Sequence, residues 1–294
     1  MQNPPSSPAP VGLFDSGVGG LSVLKAIRRL LPQQPLIFLA DQAHVPYGSR
    51  PLEEVRSYAE TITRFLLLRG CGLIVVACNT ASAAALHHLR LIFPHIPFVG
   101  MEPAVKPAAE YSHSRVVGVL ATPATFQGEL YASVVERFAR GVTVLQHTCP
   151  GLVSQIEAGL LDAPETRRIL TDALEPMLSQ GIDTVVLGCT HYPFVIPLIQ
   201  DIVGPDVRVI DPAPAVARQV QRLIEASRLK DGPVFAGRSF ETTARLQFYT
   251  SGDPLALAAL LPRLLGEARS VGSALKVEHI LWGQNLEVVD ELQN

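Results

Sequence analysis

The 294-residue sequence has little of what several common classes of protein require. Its four cysteines form no Cys-x-x-Cys pair, which argues against a zinc ribbon and against a thioredoxin-like redox site. Charged residues are only 17 % of the chain, the net charge is -3, and the 24 Lys and Arg form no basic run. No nucleic-acid-binding surface is therefore expected. No apolar run reaches the roughly 18 residues of a membrane span.

Residues 1–10 are rich in Pro and Ser and lack both the basic and the apolar segment of a signal peptide. We expect them to form a disordered tail. These features predict a cytoplasmic protein with no membrane partner. Because thiols stay free in a reducing compartment, each cysteine there is structural, metal-bound or catalytic.

Apolar runs and amphipathic segments alternate along most of the chain, of which 48 % is hydrophobic. Continuous apolar runs such as Leu73–Ala77 and Thr184–Leu187 are typical of parallel strands that are covered on both faces. The predicted strands are Val11–Phe14, Leu36–Leu39, Leu73–Ala77, Phe98–Gly100, Val116–Leu120, Val142–Leu145, Thr184–Leu187 and Val207–Ile210. The predicted helices include Leu21–Leu31, Leu52–Arg69, Thr80–Leu91, Thr125–Ala139, Thr166–Leu178 and Ala213–Ala226. The alternation predicts an α/β fold with doubly wound, mainly parallel sheets.

Two parts of the sequence resemble each other. GLIVVACNTAS at Gly72–Ser82 and GIDTVVLGCTHYP at Gly181–Pro193 are each an apolar strand, then a cysteine, then polar residues where a helix would begin. The strands VGLFDSG at Val11–Gly17 and VGVLATP at Val117–Pro123 are also alike. We therefore predict two pseudo-symmetric α/β halves. Ligands of such sheets bind beyond the carboxyl ends of the strands, so the active site is expected in the cleft between the halves.

A cysteine at a strand-to-helix turn gains specific chemistry. The helix N-terminus offers free backbone N–H groups and a partial positive charge, which lower the pKa of a thiol and can hold a carboxylate. Cys78 is followed by Asn79-Thr80 and Cys189 by Thr190-His191, which add polar side chains beside each sulfur. Such groups could hold the polar ends of an amino acid without a metal.

The paired arrangement predicts a reaction. Inversion of a stereocentre by proton transfer needs a base on one face and an acid on the other, and two like groups can exchange these roles. A single buried cysteine at a strand end is more often a core residue than a catalyst, but the shared context of Cys78 and Cys189 favours function for the pair. Cys71 and Cys149 lack that context and are interpreted as structural.

Two other interpretations remain open from the residues alone. Cys189 and His191 could form a Cys–His nucleophile, although such partners usually come from distant segments. The Gly-rich turn at residues 15–20, with Asp41 after the second strand, partly resembles a dinucleotide-binding fingerprint, but its GxGG spacing is not GxGxxG. A non-catalytic nucleotide-binding module is the alternative.

Three further side chains could tune the thiols. Asp15 is either a turn residue or a carboxylate near one thiol. His191 and Glu157 could support the other thiol, or they could be an exposed loop histidine and a solvated helix-face charge.

Several motifs together resemble the glutamate racemases of the aspartate/glutamate racemase superfamily. The resemblance extends from about Val11 to Asp253. It is carried by FDSGVGGLSV at Phe14–Val23, ADQAHVPYGSR at Ala40–Arg50, VACNTASA at Val76–Ala83, VGVLATPAT at Val117–Thr125, LGCTHYP at Leu187–Pro193 and FYTSGDP at Phe248–Pro254.

The resemblance implies a cofactor-independent interconversion of L- and D-glutamate, without pyridoxal phosphate or metal, that supplies D-glutamate for peptidoglycan. Cys78 would take the proton from D-glutamate and Cys189 from L-glutamate, with Asp15, His191 and Glu157 supporting them. The implied substrate contacts are Asp15, Ser16, Tyr47, Gly48, Asn79, Thr80, Thr190 and His191. The resemblance also implies a homodimer of chains with two domains, 11–102 plus 212–268 and 103–211.

The chain departs from the family pattern around Glu157. The segment reads CPGLVSQIEAG, in which Ala158 replaces the second of two paired acids. A related enzyme, such as an aspartate racemase, an isomerase or a thiol-dependent decarboxylase, would share the scaffold and differ at the substrate contacts. No Arg or Lys lies within the cysteine motifs, so neutral donors and helix termini in a closed, water-poor cleft are expected to bind the anionic substrate.

Overall fold

Two sheets with helices packed against them form the part of the chain that this computed structural model describes, residues 8–231, 246–266, 275–283 and 288–290. Residues 1–7 of the predicted tail lie outside the described residues. The carbonyl oxygens of Ala9 and Pro10 accept hydrogen bonds from Gln34 Nε2 at 2.8 Å and from the Gly72 amide at 3.0 Å. No helix among the described residues is long and apolar enough to cross a membrane.

Strands and helices alternate as the sequence predicts. The strands are β1 Val11–Asp15, β2 Leu36–Ala40, β3 Leu73–Val76, β4 Phe98–Gly100, β5 Val116–Ala121, β6 Thr143–His147, β7 Thr184–Gly188, β8 Arg208–Ile210, β9 Leu246–Thr250, β10 Val277–Trp282 and β11 Val288–Asp290. The α-helices are α1 Leu21–Leu30, α2 Leu52–Leu68, α3 Asn79–Ile92, α4 Val105–Tyr111, α5 Pro123–Gln127, α6 Glu129–Phe138, α7 Leu152–Glu157, α8 Pro164–Leu178, α9 Ile196–Val203, α10 Ala213–Asp231 and α11 Pro254–Leu265. Short 3₁₀ helices lie at Gln42–His44, Tyr47–Ser49 and Tyr192–Val195.

The strand order confirms two pseudo-symmetric, doubly wound halves. The first sheet has the order β11-β10-β9-β2-β1-β3-β4, and only its β10–β11 pair is antiparallel. The second sheet, β6-β5-β7-β8, is parallel throughout. The run β2-β1-β3-β4 therefore has the same winding as β6-β5-β7-β8. In this winding the crevice where ligands bind lies between the first and third strands of each half, β1 and β3 or β5 and β7.

Apolar burial on both faces explains the strands at these crevices. Every residue of β1, β3 and β7 is buried, as is expected for parallel strands with helices on both sides. One continuous apolar core contains Leu13 and Val75 from the first sheet together with Leu120 and Val185 from the second. The shared core holds the carboxyl ends of the two sheets against one another.

Two segments differ from the predicted pattern. The single helix predicted at Thr125–Ala139 is divided into α5 and α6, because Gly128 is extended (φ -72°, ψ 136°). A Cβ atom at Gly128 would lie 2.7 Å from that of Ala83 in α3, so the break permits a close approach of the two segments. Residues 254–265, for which no element was predicted, form α11, whose first amides are capped by Asp253.

The chain returns to the first sheet after β8. β9 pairs with β2 and β10 with β9, so the first sheet receives strands from both ends of the described chain. β10 and β11 lie beyond residue 268, the predicted end of the first domain.

Replacement of Leu13 by alanine tests the importance of the central strand. Leu13 is fully buried in β1, and Leu13→Ala is expected to reduce the free energy of unfolding by about 2–5 kcal/mol because it leaves a cavity. Leu68→Ala, at a position that is 76 % exposed, is the matched control and is expected to cost under about 0.5 kcal/mol. Urea unfolding of both variants measures the difference, and equal midpoints would contradict this assignment of the core.

Candidate active site

A cleft of about 270 Å³ lies at the carboxyl ends of the strands of both sheets. Most of the residues that line it lie at the ends of β1, β3, β5 and β7 or in the turn after β2, and one comes from α7. They are Ser16, Pro46, Tyr47, Gly48, Cys78, Asn79, Thr80, Thr122, Val153, Gly188, Cys189, Thr190 and His191. Both predicted thiols thus line one cleft. So do all the predicted substrate contacts except Asp15, which is buried immediately beside it.

Cys78 lies at the N-terminus of helix α3. It is the N-cap residue, and its Sγ accepts a hydrogen bond from the Ala81 amide at 3.5 Å. Burial, reinforced by the negative charge of Asp15, raises the pKa of the Cys78 thiol well above its usual value, and the Ala81 N–H only partly opposes this. The helix N-terminus therefore acts on this thiol in the predicted direction, but the loss of hydration outweighs it, and the net pKa is raised instead of lowered.

Cys189 has different surroundings. It follows β7 directly, but the next α-helix begins only at Ile196, after the 3₁₀ helix at Tyr192–Val195. The helix predicted after this cysteine therefore begins at Tyr192 as a 3₁₀ helix and becomes an α-helix only at Ile196. The sulfur of Cys189 lies 3.8 Å from Nδ1 of His191 instead, so a side chain stands where the other half has a helix N-terminus.

His191 and Glu157 form a buried ion pair, with 2.6 Å between Nε2 of His191 and Oε1 of Glu157. Burial raises the pKa of Glu157, but hydrogen bonds from His191, Gln42 and the Val18 amide outweigh burial and hold it below its usual value. Burial has the opposite effect on His191 and lowers its pKa. Interactions with Cys189 and Glu157 outweigh burial and raise that pKa well above its usual value. The interpretation of His191 as an exposed loop residue and of Glu157 as a solvated charge is therefore wrong.

Asp15 connects the two halves of the site. Its Oδ1 accepts the Ser16 amide at 2.6 Å, and its Oδ2 accepts the hydroxyl of Thr190, the residue after Cys189, at 2.9 Å. Burial raises the pKa of Asp15, while the charge of His191 and hydrogen bonds from Thr190 and Cys78 oppose the change. The carboxylate therefore lies within hydrogen-bonding reach of one thiol and of the neighbour of the other.

The Gly-rich turn after β1 is filled by protein side chains. A Cβ atom at Gly17 would lie 1.9 Å from Oε1 of Glu157, and one at Gly19 would lie 2.4 Å from Nδ1 of His191. The Val18 amide already donates to Glu157 at 2.7 Å. The glycines thus admit Glu157 and His191, and the space that a dinucleotide's phosphates would need above this turn is occupied.

The carboxylate of Asp41, the other residue of the dinucleotide alternative, is already engaged in hydrogen bonds within the protein. It accepts hydrogen bonds from Tyr47 Oη at 2.6 Å, Ser251 Oγ at 2.6 Å and Trp282 Nε1 at 2.8 Å. Burial, with the charge of Asp41, raises the pKa of Tyr47 well above its usual value. Asp41 therefore fixes the turn that carries Tyr47 and Gly48 into the cleft.

The amide of Asn79 is the most conspicuous unused polar group of the cleft. Among the described residues neither its Oδ1 nor its Nδ2 has a hydrogen-bond partner, although both atoms are buried. Buried polar groups without partners are rare, so this amide is available to a ligand. The adjacent Thr80 hydroxyl lies 2.9 Å from that of Thr122.

Four lining residues were not among the predicted site residues: Pro46, Thr122, Val153 and Gly188. Thr122 could have been found, since it occupies in VGVLATP the place of Ser16 in VGLFDSG. Val153 has no such signal, because only the packing of α7 brings it to the cleft. No group of three or more His, Cys, Asp or Glu side chains suited to a metal ion occurs among the described residues.

Comparisons with known proteins agree with one another. The family model described as Asp/Glu/Hydantoin racemase matches residues 19–220. A glutamate racemase of Roseiflexus sp. (strain RS-1) is 51 % identical over 259 residues, which are 88 % of this chain and 93 % of the relative.

Solved structures are also similar. Glutamate racemase from Escherichia coli, in complex with L-glutamate and an activator, has a TM-score of 0.79 and 30 % identity, with 96 % of this chain and 100 % of that chain covered. The Thermus thermophilus enzyme, in complex with beta-chloro-D-alanine, has a TM-score of 0.72 and 38 % identity, with 94 % and 98 % covered.

Replacement of Glu157 by glutamine tests the ion pair. The charge of Glu157 favours protonated His191, so Glu157→Gln is expected to lower the pKa of His191 toward its ordinary value of about 6.5. Because the folded-state pKa is raised in the parent, the pair stabilises the fold fully below the ordinary value. That stabilisation is lost as pH rises through the raised value, and the variant should lack this dependence. NMR titration of ¹⁵N-labelled histidine measures the shift, and an unchanged His191 titration would contradict the pairing.

Proposed function

The chain belongs to the Asp/Glu/hydantoin racemase family, and we propose that it interconverts L- and D-glutamate by moving the Cα proton between Cys78 and Cys189. The observation that carries this proposal is the convergence of two thiols in one cleft, each beyond the third strand of one of two pseudo-symmetric halves. The reaction needs an acid and a base on opposite faces of one carbon, and equivalent positions in opposed halves supply two like groups.

In each direction one sulfur is the base and the other is the acid. Following the family pattern, the Cys78 thiolate removes the proton of D-glutamate while the Cys189 thiol protonates the other face. The reverse roles convert L-glutamate. Burial makes a Cys78 thiolate a strong base, because protonation relieves the cost of its charge in a site with little water. Asp15 and the His191–Glu157 pair adjust the charge beside the thiols.

Neutral donors hold the substrate's polar ends. Ser16, Asn79, Thr80 and Thr190 present hydroxyl and amide groups to the cleft, and no Arg or Lys is among the described residues that line it. Fixed dipoles in a site of low dielectric constant stabilise developing charge more strongly than water does. Protonated His191, whose Nδ1 lies 3.8 Å from the sulfur of Cys189, would favour the anionic intermediate on that side.

The substrate assignment is supported by the relatives. Those with high identity over most of their length are glutamate racemases, and the solved Escherichia coli relative carries L-glutamate. For this chain we therefore propose glutamate as substrate and supply of D-glutamate for peptidoglycan, and so for cell wall biogenesis and cell shape, as its role.

Further features of the organisation are part of the proposal. We retain a first domain of residues 11–102 with 212–268 and a second of 103–211, which agrees with the strands of the two sheets, and we extend the first domain through β10 and β11. A homodimer and a cytoplasmic location complete the proposal. The four free thiols suit a reducing compartment.

Single cysteine replacements test the two-thiol reaction. Cys78→Ala and Cys189→Ala are each expected to slow racemisation by at least about 10²–10⁴-fold, since each removes one of two required proton-transfer groups. Circular dichroism of the glutamate pool in ²H₂O, with mass spectrometry of deuterium at Cα, measures both conversion and exchange.

Cys71→Ala is the matched control, because Cys71 is equally buried but packs against Gly12 outside the cleft. It is expected to retain activity. If either Cys78→Ala or Cys189→Ala interconverted the enantiomers at the parent rate, the mechanism would be wrong. The same assay with aspartate in place of glutamate settles the substrate, and faster conversion of aspartate would overturn the glutamate assignment.

Replacement of Asn79 tests whether its amide binds a polar end of the substrate. Asn79→Ala is expected to raise KM for glutamate roughly tenfold with little change in thermal unfolding, because the amide has no partner among the described residues that its removal would leave unsatisfied. Steady-state kinetics and a melting curve measure the two effects. An unchanged KM would remove Asn79 from the substrate contacts.

A further inference from the structure

We propose that Gln42 is a positioning residue that holds Glu157, and through it His191, in place beside Cys189. The inference rests on the proposed function, because it assigns Gln42 a part in that reaction. Gln42 begins the 3₁₀ helix after β2, in the first half, whereas Glu157 ends α7 in the second. Its Nε2 lies 2.9 Å from Oε2 of Glu157, so the contact joins the two halves.

The orientation of the Gln42 amide is determined by its other neighbour. The hydroxyl of the fully buried Thr250, at the end of β9, lies 2.9 Å from Oε1 of Gln42. That hydroxyl accepts the Gly252 amide at 3.0 Å and has its hydrogen free to donate to Gln42. The opposite orientation would set the amide oxygen against the Glu157 carboxylate. The arrangement therefore fixes the NH₂ group toward Glu157.

The two carboxylate oxygens of Glu157 accept different numbers of hydrogen bonds. Its Oε1 accepts two hydrogen bonds, from His191 Nε2 at 2.6 Å and from the Val18 amide at 2.7 Å. Among the described residues, Oε2 accepts one hydrogen bond, from Gln42. The Glu157 side chain is only 13 % exposed, so loss of Gln42 leaves a charged oxygen poorly solvated. We expect the carboxylate to turn toward solvent and its contact with His191 to weaken.

A weaker contact changes the charge beside the thiol. The titratable groups that face His191 are Glu157, Cys189 and Asp15, and Glu157 is held nearest, at 2.6 Å. If Glu157 is displaced, the pKa of His191 falls and the imidazolium is lost at a lower pH. If the reaction requires the imidazolium beside Cys189, the alkaline limb of the pH–activity profile then moves to lower pH. Gln42 itself does not line the cleft, so substrate binding should change little.

Replacement of Gln42 by methionine removes both hydrogen bonds and keeps the length of the side chain. In the full-length enzyme, Gln42→Met is expected to lower kcat for both enantiomers roughly tenfold with KM within about twofold, as for loss of a charged hydrogen bond. The alkaline limb of the pH profile should move to lower pH, and the NMR titration of His191 should move with it.

Variants of Thr250 test the same contact without altering Gln42. Thr250→Val removes the donor that orients the amide and is expected to shift the His191 titration in the same direction. Thr250→Ser keeps the hydroxyl and is expected to behave as the parent. Gln34→Met is the control for loss of a buried glutamine, since Gln34 donates to the Ala9 and Pro35 carbonyls outside the cleft.

The inference is overturned if the His191 titration and the pH profile are the same in Gln42→Met as in the parent. It is also overturned if Gln34→Met changes them equally. Because the His191 titration is measured without turnover, it tests the position of Glu157 even if the enzyme fails to racemise glutamate. Failure of the proposed function would instead appear as an inactive parent or as full activity without Cys78 or Cys189.

Discussion

The structure is organised around one geometric requirement, that two proton-transfer groups reach one carbon from opposite sides. A single strand-to-helix turn can offer one such group. Two halves with the same winding, β2-β1-β3-β4 and β6-β5-β7-β8, offer two at equivalent places. The apolar core shared by Leu13 of the first sheet and Leu187 of the second brings their carboxyl ends together, so the cleft is a product of how the halves pack.

The halves are alike in topology and unlike in electrostatics. Cys78 caps a helix and lies beside Asp15, whereas Cys189 lies beside a histidine that is paired with a glutamate. Enantiomers have equal free energies in solution, so the two bases need matched strength rather than matched surroundings. Their surroundings differ: a helix N-terminus and a carboxylate lie beside Cys78, and a histidine paired with a glutamate lies beside Cys189. Glu157 contacts both halves and thus links the charge of the site to the way they pack.

The sequence was sufficient for the fold class and for both thiols, because apolar runs followed by cysteine have a direct structural meaning. All eight predicted strands are present, with ends that agree to within two residues. β9, α11, β10 and β11 were not predicted. The pairing of β9 with β2 joins residues some two hundred positions apart and leaves no local pattern. The burial of the Cys78 thiol was underestimated for a related reason. A helix N-terminus is visible in sequence, but the water that packing removes from it is not.

The contacts around the cleft were also not predictable from the sequence alone. Gly17 and Gly19 suggested a phosphate-binding turn, but in the folded chain Glu157 and His191 occupy the space they leave. Gln42 had no signal, since its role depends on Glu157 from a different half. The central claim is tested most directly by a crystal structure of the chain with D-glutamate bound. We predict the sulfurs of Cys78 and Cys189 on opposite faces of Cα, each at about 3–3.5 Å. Both sulfurs on one face, or either one out of reach of Cα, would contradict the proton exchange.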